Sequence, residues 1–212
     1  MNVLIMGCSF GVPDNGCPSE SHTENQLKLR GHKVINCARS GSSNLESLAL
    51  AEQLCGFLPY KIDWIVWFHT ELIRDMSYLY QYSSYSFEAT ANLIYKNYSQ
   101  FAKKHNAKLA VIGGAAPVHP TLFEYIQPDF CIPSWFNKIL NLNLPQIQTL
   151  SRLDMIERLQ GIGPDIKLKI LGEHEEILNA LEASDDFPDN YHPGIRPHVE
   201  LANELHQAFL RS

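Results

Sequence analysis

The sequence predicts an α/β fold, a three-layer α/β/α sandwich around a central, mainly parallel sheet. Short apolar runs alternate along the chain with longer segments whose apolar residues recur at helical spacing. Such alternation is typical of a parallel sheet that carries helices on both faces. The chain has 212 residues, 45% of them hydrophobic, which is enough for one domain with a full core. We therefore expect residues 1–212 to form a single domain.

The predicted strands are short, and DWIVWF is apolar throughout after Asp63, as expected for a strand that is buried on both faces. They are NVLIMG at residues 2–7, HKVINCA at 32–38, DWIVWF at 63–68 and KLAVIGG at 108–114, with DIKLKIL at 165–171 as a candidate fifth strand.

Helices are predicted between these strands and after the last one. The segment 20–31 forms a helix that Gly31 closes, and the segment 44–57 forms a helix with Asn44 as its N-cap. A long helix begins near Phe87, where apolar residues keep a 3.6-residue period. The final helix begins near Pro197 and carries one apolar face, formed by Leu201, Leu205 and Ala208.

Composition excludes several classes of function. A net charge of −6 and a pI near 5.8 argue against nucleic acid or an anionic membrane as partner, because both select clustered Lys and Arg. No apolar run approaches the roughly 18 residues of a membrane span. The five cysteines are odd in number and lack a C-x-x-C pair, so neither a disulfide framework nor a zinc site is indicated. We expect a cytoplasmic protein that needs no metal and no organic cofactor.

The first predicted strand runs directly into GCSFG at residues 7–11. In a parallel sheet, ligands bind beyond the carboxyl ends of the strands, so the loops at those ends are the candidate site. Gly-x-Ser-x-Gly is the nucleophile signature of α/β-hydrolases, but in that fold several strands normally precede it and here there is room for one. Ser9 is therefore either a turn residue or the nucleophile of another hydrolase design.

A second motif lies near the other end of the chain, in DNYHPG at residues 189–194. A serine nucleophile needs a base within hydrogen-bond reach, and the base needs an acceptor that fixes its tautomer. His192 can serve as the base for Ser9 while Asp189 holds its Nδ1–H. Alternatively, Asp189 only initiates a turn.

Three blocks of the sequence resemble the SGNH (GDSL-type) hydrolase family. They are VLIMGCSF near the start, NCARSGSSN after the second strand and DNYHPGIRPHVELA near the end. The resemblance implies a flavodoxin-like sandwich in which Ser9 is the nucleophile, His192 the base and Asp189 its orienting acid. It also implies that the backbone N–H groups of Ser9 and Gly41 donate to the oxyanion. Alternatively, Gly41 is a turn glycine with a structural role only.

The sequence departs from this family at the third block, where Gly-x-Asn-Asp is usual and the asparagine supplies a third oxyanion donor. After DWIVWF this chain has His69, Thr70 and Glu71 instead. The candidate substitutes are His69, Thr70 and Asn44, and the position after the third strand favours the first two. Cys8 also replaces the Asp or Asn that usually precedes the serine.

The resulting prediction is a serine esterase that cleaves a small-molecule or carbohydrate ester, with a short acyl group such as acetyl, through an acyl-serine intermediate. One alternative is a catalytically weakened member that binds a ligand or partner in the same crevice. Another is a nucleotide binder that uses GCSFG as a phosphate loop, although the chain lacks G-x-G-x-x-G and a P-loop lysine. The sequence predicts no particular oligomeric state.

Two aromatic-rich segments, near 74–86 and 120–150, exceed the minimal scaffold and are predicted to be insertions. They either pack onto the domain or line an acyl, sugar or partner surface. Arg39 and Arg74 are candidates for neutralising an anionic substrate group, with solvated or ion-paired arginines as the alternative. Scattered histidines are expected at the surface, namely His119, His174, His198 and His206.

Overall fold

A computed structural model describes residues 1–13, 16–70, 72, 74–75, 87–114, 118–141, 184–188 and 192–211. The candidate strand at 165–171, Glu71, Asp189, His174 and most of the aromatic segment near 74–86 lie outside the described residues. All structural statements below concern the described part of the chain.

The described residues form a five-stranded parallel sheet with the order β2-β1-β3-β4-β5. The strands are β1 (Asn2–Gly7), β2 (Lys33–Asn36), β3 (Trp64–His69), β4 (Lys108–Gly113) and β5 (Phe130–Ile132). Helices lie on both faces, which confirms the predicted three-layer α/β/α architecture. They are α1 (Thr23–Leu29), α2 (Asn44–Cys55), α3 (Phe87–His105), α4 (Leu122–Tyr125), α5 (Trp135–Ile139) and α6 (Ile195–Leu210).

Strict alternation of side chains along the strands divides the core into two layers. In β1, Val3 and Ile5 pack toward α1, α5 and α6, whereas Leu4 and Met6 pack toward α2 and α3. Every residue of β3 is buried, as a central parallel strand requires.

The segment near 120–150 is part of the scaffold over its described portion, so its prediction as an insertion was wrong there. Phe130–Ile132 pairs in parallel with β4 as the edge strand of the sheet, and Trp135 and Phe136 at the start of α5 are buried in the core. A strand of three residues is too short to show an alternating pattern, which is why it was missed.

The cap of α2 also differs from the prediction. Ser43 is the N-cap, and its hydroxyl and the Glu46 side chain form a reciprocal capping box. Asn44 is the first helical residue. Its amide is thereby free of the capping role and makes the contacts described below.

Two further outcomes concern glycine and histidine. Gly31 follows α1 with a φ of +84°, which confirms its predicted place at the end of that helix. His198 is only 1% exposed rather than on the surface, because it occupies the buried face of α6. Its Nδ1 lies 2.8 Å from the hydroxyl of Thr23 in α1. His119 and His206 are half-buried.

Candidate active site

The strand order reverses at β1, so that β2 and β3 lie on either side of it. The chain passes from β1 to β2 on one side and later to β3 on the other side. In open parallel sheets, this kind of switch point is where ligands bind. Ser9 directly follows β1 and begins a 3₁₀ turn, Ser9–Gly11, so it stands at the switch point.

Gly7 permits the close approach of β1 and β3 just before this turn. Its φ is +130°, and a Cβ built on it would lie 2.1 Å from the carbonyl oxygen of Phe68. Only glycine fits this position. The turn that follows is closed by backbone hydrogen bonds from Gly11 N to Cys8 O (3.0 Å) and from Val12 N to Ser9 O (3.1 Å).

The side chain of Asn36, at the end of β2, braces the same turn. Its Nδ2 donates to Gly11 O (2.7 Å) and to Oε2 of Glu24 in α1 (2.8 Å), while its Oδ1 accepts from Ala38 N (2.9 Å). One amide therefore connects the turn after β1, the loop after β2 and helix α1. Sequence analysis did not assign a role to Asn36, because the contact joins residues that are distant in the chain.

His192 is brought to the turn after β1 from the other end of the sequence. Its ring packs edge-to-face on Phe10, the residue after Ser9, with the ring centroids 5.8 Å apart. The backbone at Gly16 also lies against it, since a Cβ at Gly16 would be 2.6 Å from the Cβ of His192. Two of the predicted site residues, Ser9 and His192, thus lie in neighbouring parts of the structure, while Asp189 lies outside the described residues.

An ion pair and a backbone hydrogen bond join the segments on either side of Asp189. The Arg196 guanidinium donates from Nε to Asp186 Oδ1 (2.9 Å) and makes a second contact with Oδ2 of the same carboxylate. Gly194 N donates to Asp186 O (2.6 Å). We call this pair of segments, 184–188 and 192–196, the C-terminal clasp.

At the end of β3, Thr70 is held by the amide of Asn44. Asn44 Oδ1 accepts from Thr70 N (3.1 Å), and Asn44 Nδ2 donates to Thr70 O (3.1 Å) and to Asp75 Oδ2 (2.8 Å). Both amide hydrogens of Asn44 are used in these contacts, which leaves none for an oxyanion. Asn44 is therefore not a third oxyanion donor.

His69, the last residue of β3, is directed into the layer formed by α2 and α3. Its Nε2 lies 3.2 Å from the hydroxyl of Tyr95, and that hydroxyl also accepts from His119 N (2.9 Å). The ring lies 4.9 Å from that of Trp67 and is 1% exposed. Phe68, in contrast, packs in the other layer together with Phe10.

The predicted donor Gly41 lies on the loop between β2 and α2, at the same edge of the sheet as Ser9. It is exposed, with a φ of +79° that disfavours other residues. The neighbouring loop is closed by a hydrogen bond from Ser42 N to Arg39 O (3.2 Å). Arg39 itself is exposed.

Burial dominates the electrostatics of the described groups near the site. It raises the pKa of Asp75, although the N–H groups of Leu45 and Asn44 and the Asn44 amide act in the opposite direction. Burial also raises the pKa of Tyr98 well above its usual value and lowers that of His198 well below. Across the described ranges, no group of three His, Cys, Asp or Glu side chains could hold a metal ion.

Comparison with known proteins identifies the fold. No family model and no curated protein matches the sequence. Among solved structures, TesA matches with a TM-score of 0.52 and 14% identity over 99% of this chain and 98% of that chain. The psychrotrophic esterase EstA from Pseudoalteromonas sp., in a structure inhibited by monoethylphosphonate, matches with a TM-score of 0.52 and 11% identity over 99% and 97%.

A third solved structure is matched over a smaller share of its own length. It is a carbohydrate esterase whose active site displays divergent catalytic and non-catalytic binding functions. The TM-score is 0.50 and the identity 14%, over 100% of this chain and 68% of that one. These matches confirm the resemblance to SGNH hydrolases at the level of the fold. Separately, no helix in the described part of the chain has the length and apolarity that crossing a membrane requires.

Proposed function

We propose that the protein hydrolyses carboxylic esters through an acyl-serine intermediate on Ser9. The observation that carries this proposal is the position of Ser9 at the switch point of the sheet, with the ring of His192 packed on the adjacent Phe10. The same arrangement of a serine after the first strand and a histidine before the last helix is what the resemblance to SGNH hydrolases implies.

In this mechanism, Ser9 Oγ attacks the ester carbonyl carbon and its proton passes to Nε2 of His192. The carbonyl oxygen becomes an oxyanion, to which the N–H groups of Ser9 and Gly41 donate. Collapse of the tetrahedral intermediate breaks the ester C–O bond, and His192 returns the proton to the departing alcohol. Water then attacks the acyl-serine with His192 again as base, releasing the acid, while Asp189 holds Nδ1–H throughout.

We assign the third oxyanion donor to the hydroxyl of Thr70. The ring of His69 packs with Trp67 and Tyr95 on the α2 and α3 side of the sheet, and both amide hydrogens of Asn44 are used, as described above. Side chains alternate along an extended segment, so Thr70 is expected on the side of Phe68, which shares a core layer with Phe10. The backbone of Thr70 is held at both N–H and C=O, which favours a donor of fixed geometry.

The substrate is a small ester with a short acyl group, acetyl on a carbohydrate being the leading candidate. Ser9 is 4% exposed, and Phe10 fills space between its turn and the backbone of Gly114 after β4. Among the described residues, little room is left for a long acyl chain. The experiment is release of p-nitrophenol from the acetate and octanoate esters, with Ser9→Ala as the control. We expect the wild-type chain, but not Ser9→Ala, to hydrolyse the acetate ester, and we expect little hydrolysis of the octanoate ester. A wild-type turnover equal to that of Ser9→Ala would refute the proposal.

A second candidate, a crevice that binds a ligand without efficient turnover, is favoured by one observation. Two of the three side chains that could replace the missing asparagine are engaged in internal hydrogen bonds. A fluorophosphonate reagent separates the two functions, because it labels an activated serine but not a passive one. Labelling of Ser9 that is lost in His192→Ala supports the esterase, and absence of labelling supports the binding function.

A further inference from the structure

The amide of Asn44 is fully used in a way that a simple core contact would not require. Besides the two hydrogen bonds with the backbone of Thr70, its Oδ1 accepts from the indole Nε1 of Trp67 (3.2 Å). Its Nδ2 donates to Asp75 (2.8 Å). Asn44 and Asp75 are both completely buried, so each of these bonds is shielded from water. A buried network whose members are all satisfied is rigid, since any movement leaves a polar group without a partner.

Asp75 fixes the orientation of this amide. Its carboxylate accepts from the backbone N–H of Asn44 (3.2 Å) and of Leu45 (2.8 Å), which are in the first turn of α2. These N–H groups have no partner within the helix, so the carboxylate satisfies them and benefits from the helix dipole. Rotation of the Asn44 side chain would separate Nδ2 from Asp75. The amide therefore has one stable orientation.

The network joins the two loops that carry the proposed side-chain and backbone donors. Thr70 follows β3, whereas Gly41 precedes α2 and is separated from Asn44 by Ser42 and Ser43. Because a single amide both donates to and accepts from the backbone of Thr70, it fixes the position and the orientation of that residue relative to α2. The distance between the Gly41 and Thr70 donors is thus set through Asn44.

We propose that Asn44 is a positioning residue of the oxyanion hole, an inference that rests on the proposed esterase function. It contacts no substrate and acts by holding Thr70 against the start of α2. Misplacement of a catalytic group by 1 Å can cost about 100-fold in rate, so a rigid support of this kind has a measurable consequence. In place of the asparagine that donates directly in the resembling family, this chain uses an asparagine that supports another donor.

A double-mutant cycle with Asn44→Ala and Thr70→Val tests the inference. Thr70→Val keeps the shape of the side chain and removes the hydroxyl, and we expect it to lower kcat about 100-fold. Asn44→Ala is expected to lower kcat at least about tenfold with KM changed less than about twofold. The double variant should be about as slow as Thr70→Val alone, because both changes remove the same contact. Effects that multiply, or an unchanged kcat in Asn44→Ala, would overturn the inference.

The matched control is Tyr98→Phe. The Tyr98 hydroxyl donates to the backbone carbonyl of Asn44 (2.9 Å) and makes no bond with its amide. Its removal lowers the melting temperature but leaves Thr70 held, so kcat should change less than about twofold. If Tyr98→Phe lowers kcat as much as Asn44→Ala does, the loss reflects general loosening and Asn44 has no specific role.

A second variant and a second measurement keep the test decisive. If Asn44→Ala does not fold, Asn44→Ser replaces it, since serine suits a helix start and cannot reach both N–H and C=O of Thr70. Hydrogen exchange of the Thr70 amide, read by NMR, should accelerate at least about tenfold in either Asn44 variant and not in Tyr98→Phe. Equal exchange in all three refutes the positioning role. An inactive wild-type chain would instead refute the esterase function itself.

Discussion

The turn that carries Ser9 is supported on two sides by different kinds of contact. On what we call the polar side, toward β2 and α2, hydrogen bonds predominate: Asn36 donates to Gly11 O in the turn, and Asn44, Thr70 and Asp75 form a second group of hydrogen bonds between α2 and the end of β3. On the aromatic side, toward β4, β5 and the C-terminal clasp, ring packing predominates, formed by Phe10, Phe136, Phe187 and His192. Asn36 from the polar side and the rings around Phe10 from the aromatic side meet at the same three-residue turn.

The two kinds of contact serve different purposes, since hydrogen bonds fix the geometry of the turn and aromatic packing stabilises the fold. Hydrogen bonds are directional and contribute only about 0.5–1.5 kcal/mol each to the net free energy of unfolding. Buried aromatic side chains contribute more, but an edge-to-face contact tolerates small displacements. We therefore expect changes on the polar side to lower kcat more than stability, and changes on the aromatic side to do the reverse. The predictions that follow test this separation.

The largest effect is expected where the two sides meet. Ser9→Ala and His192→Ala should each lower kcat by roughly 10⁴-fold or more, because in the proposed mechanism one removes the nucleophile and the other its base. The double variant should be little slower than either single variant, since the residues act as a unit. Steady-state kinetics with p-nitrophenyl acetate measures this, and independent, multiplying effects would contradict it.

On the aromatic side, Phe136→Ala should lower the free energy of unfolding by about 3–5 kcal/mol. The ring is buried and packs on Phe10 and Phe187, with centroids 5.5 and 4.7 Å away. Where the variant is folded, kcat should remain within about threefold of wild type. Urea unfolding and kinetics on the same sample provide both values, and a variant as stable as wild type but inactive would reverse the comparison.

On the polar side, Asn36→Asp should lower kcat about tenfold with a modest loss of stability, about 1–3 kcal/mol. The change removes the donor to Gly11 O and places a carboxylate beside that of Glu24. Asn25→Asp is the matched control, because Asn25 donates to Ser19 O (2.6 Å) and has no contact with the turn. We expect kcat of the control to equal that of wild type. Similar kcat losses in both variants would argue against a specific role of Asn36.

A smaller effect is expected at the C-terminal clasp. Arg196→Gln removes the ion pair with Asp186, and because the Arg196 side chain is 63% exposed, the free energy of unfolding should change little. Glu200, one turn along α6, is exposed and also near Arg196 (3.6 Å), and Glu200→Gln serves as the control. Because the clasp flanks Asp189, kcat should fall more in Arg196→Gln than in the control. Thermal melts and kinetics of the two variants check this.

Acid sensitivity should be the mildest effect, and we expect it in the layer that contains the aromatic side. Burial lowers the pKa of His32 to about 4 and that of His198 well below 6.5. The unfolded chain binds protons on these groups near pH 6.5 and the folded chain does not, so the free energy of unfolding should fall as the pH drops below 6.5. His32→Gln should flatten this dependence between pH 6.5 and 4 in urea titrations. An unchanged slope would mean that other groups cause the pH dependence of the free energy of unfolding.

Much of the fold follows from apolar patterning, because the strands of a parallel sheet are buried on both faces. The runs at β1, β3 and β4 are apolar except for one terminal residue each and were predicted nearly to the residue. β5 escaped prediction because Phe130–Ile132 is brief and lies between Pro128 and Pro133. Nothing in a three-residue segment distinguishes an edge strand from a loop.

Two errors had signals in the sequence. Ser43 and Glu46 form an S-x-x-E pattern that identifies Ser43, rather than Asn44, as the N-cap. His198 stands three residues before Leu201, on the same helical face, which indicates burial.

The residues that position the candidate site could not be recognised from the sequence in the same way. The contacts of Asn36 with Gly11 and of Asn44 with Thr70 and Asp75 connect separate loops and depend on how the strands are ordered. The candidate catalytic residues Ser9 and His192 could be named from their motifs, and their roles stay a prediction. The residues that hold such groups in place are visible only in three dimensions.

The packing of α1 against α6 has a consequence during synthesis. α1 ends at Leu29, and its buried contacts, such as Thr23 with His198, are with a helix that begins only at Ile195. At about 5–20 residues per second, the ribosome needs roughly 8–35 seconds to make the chain between them. For that time the apolar side of α1 and one face of β1 have no cover from α6. The nascent chain should therefore bind hydrophobic-surface chaperones until the last helix emerges.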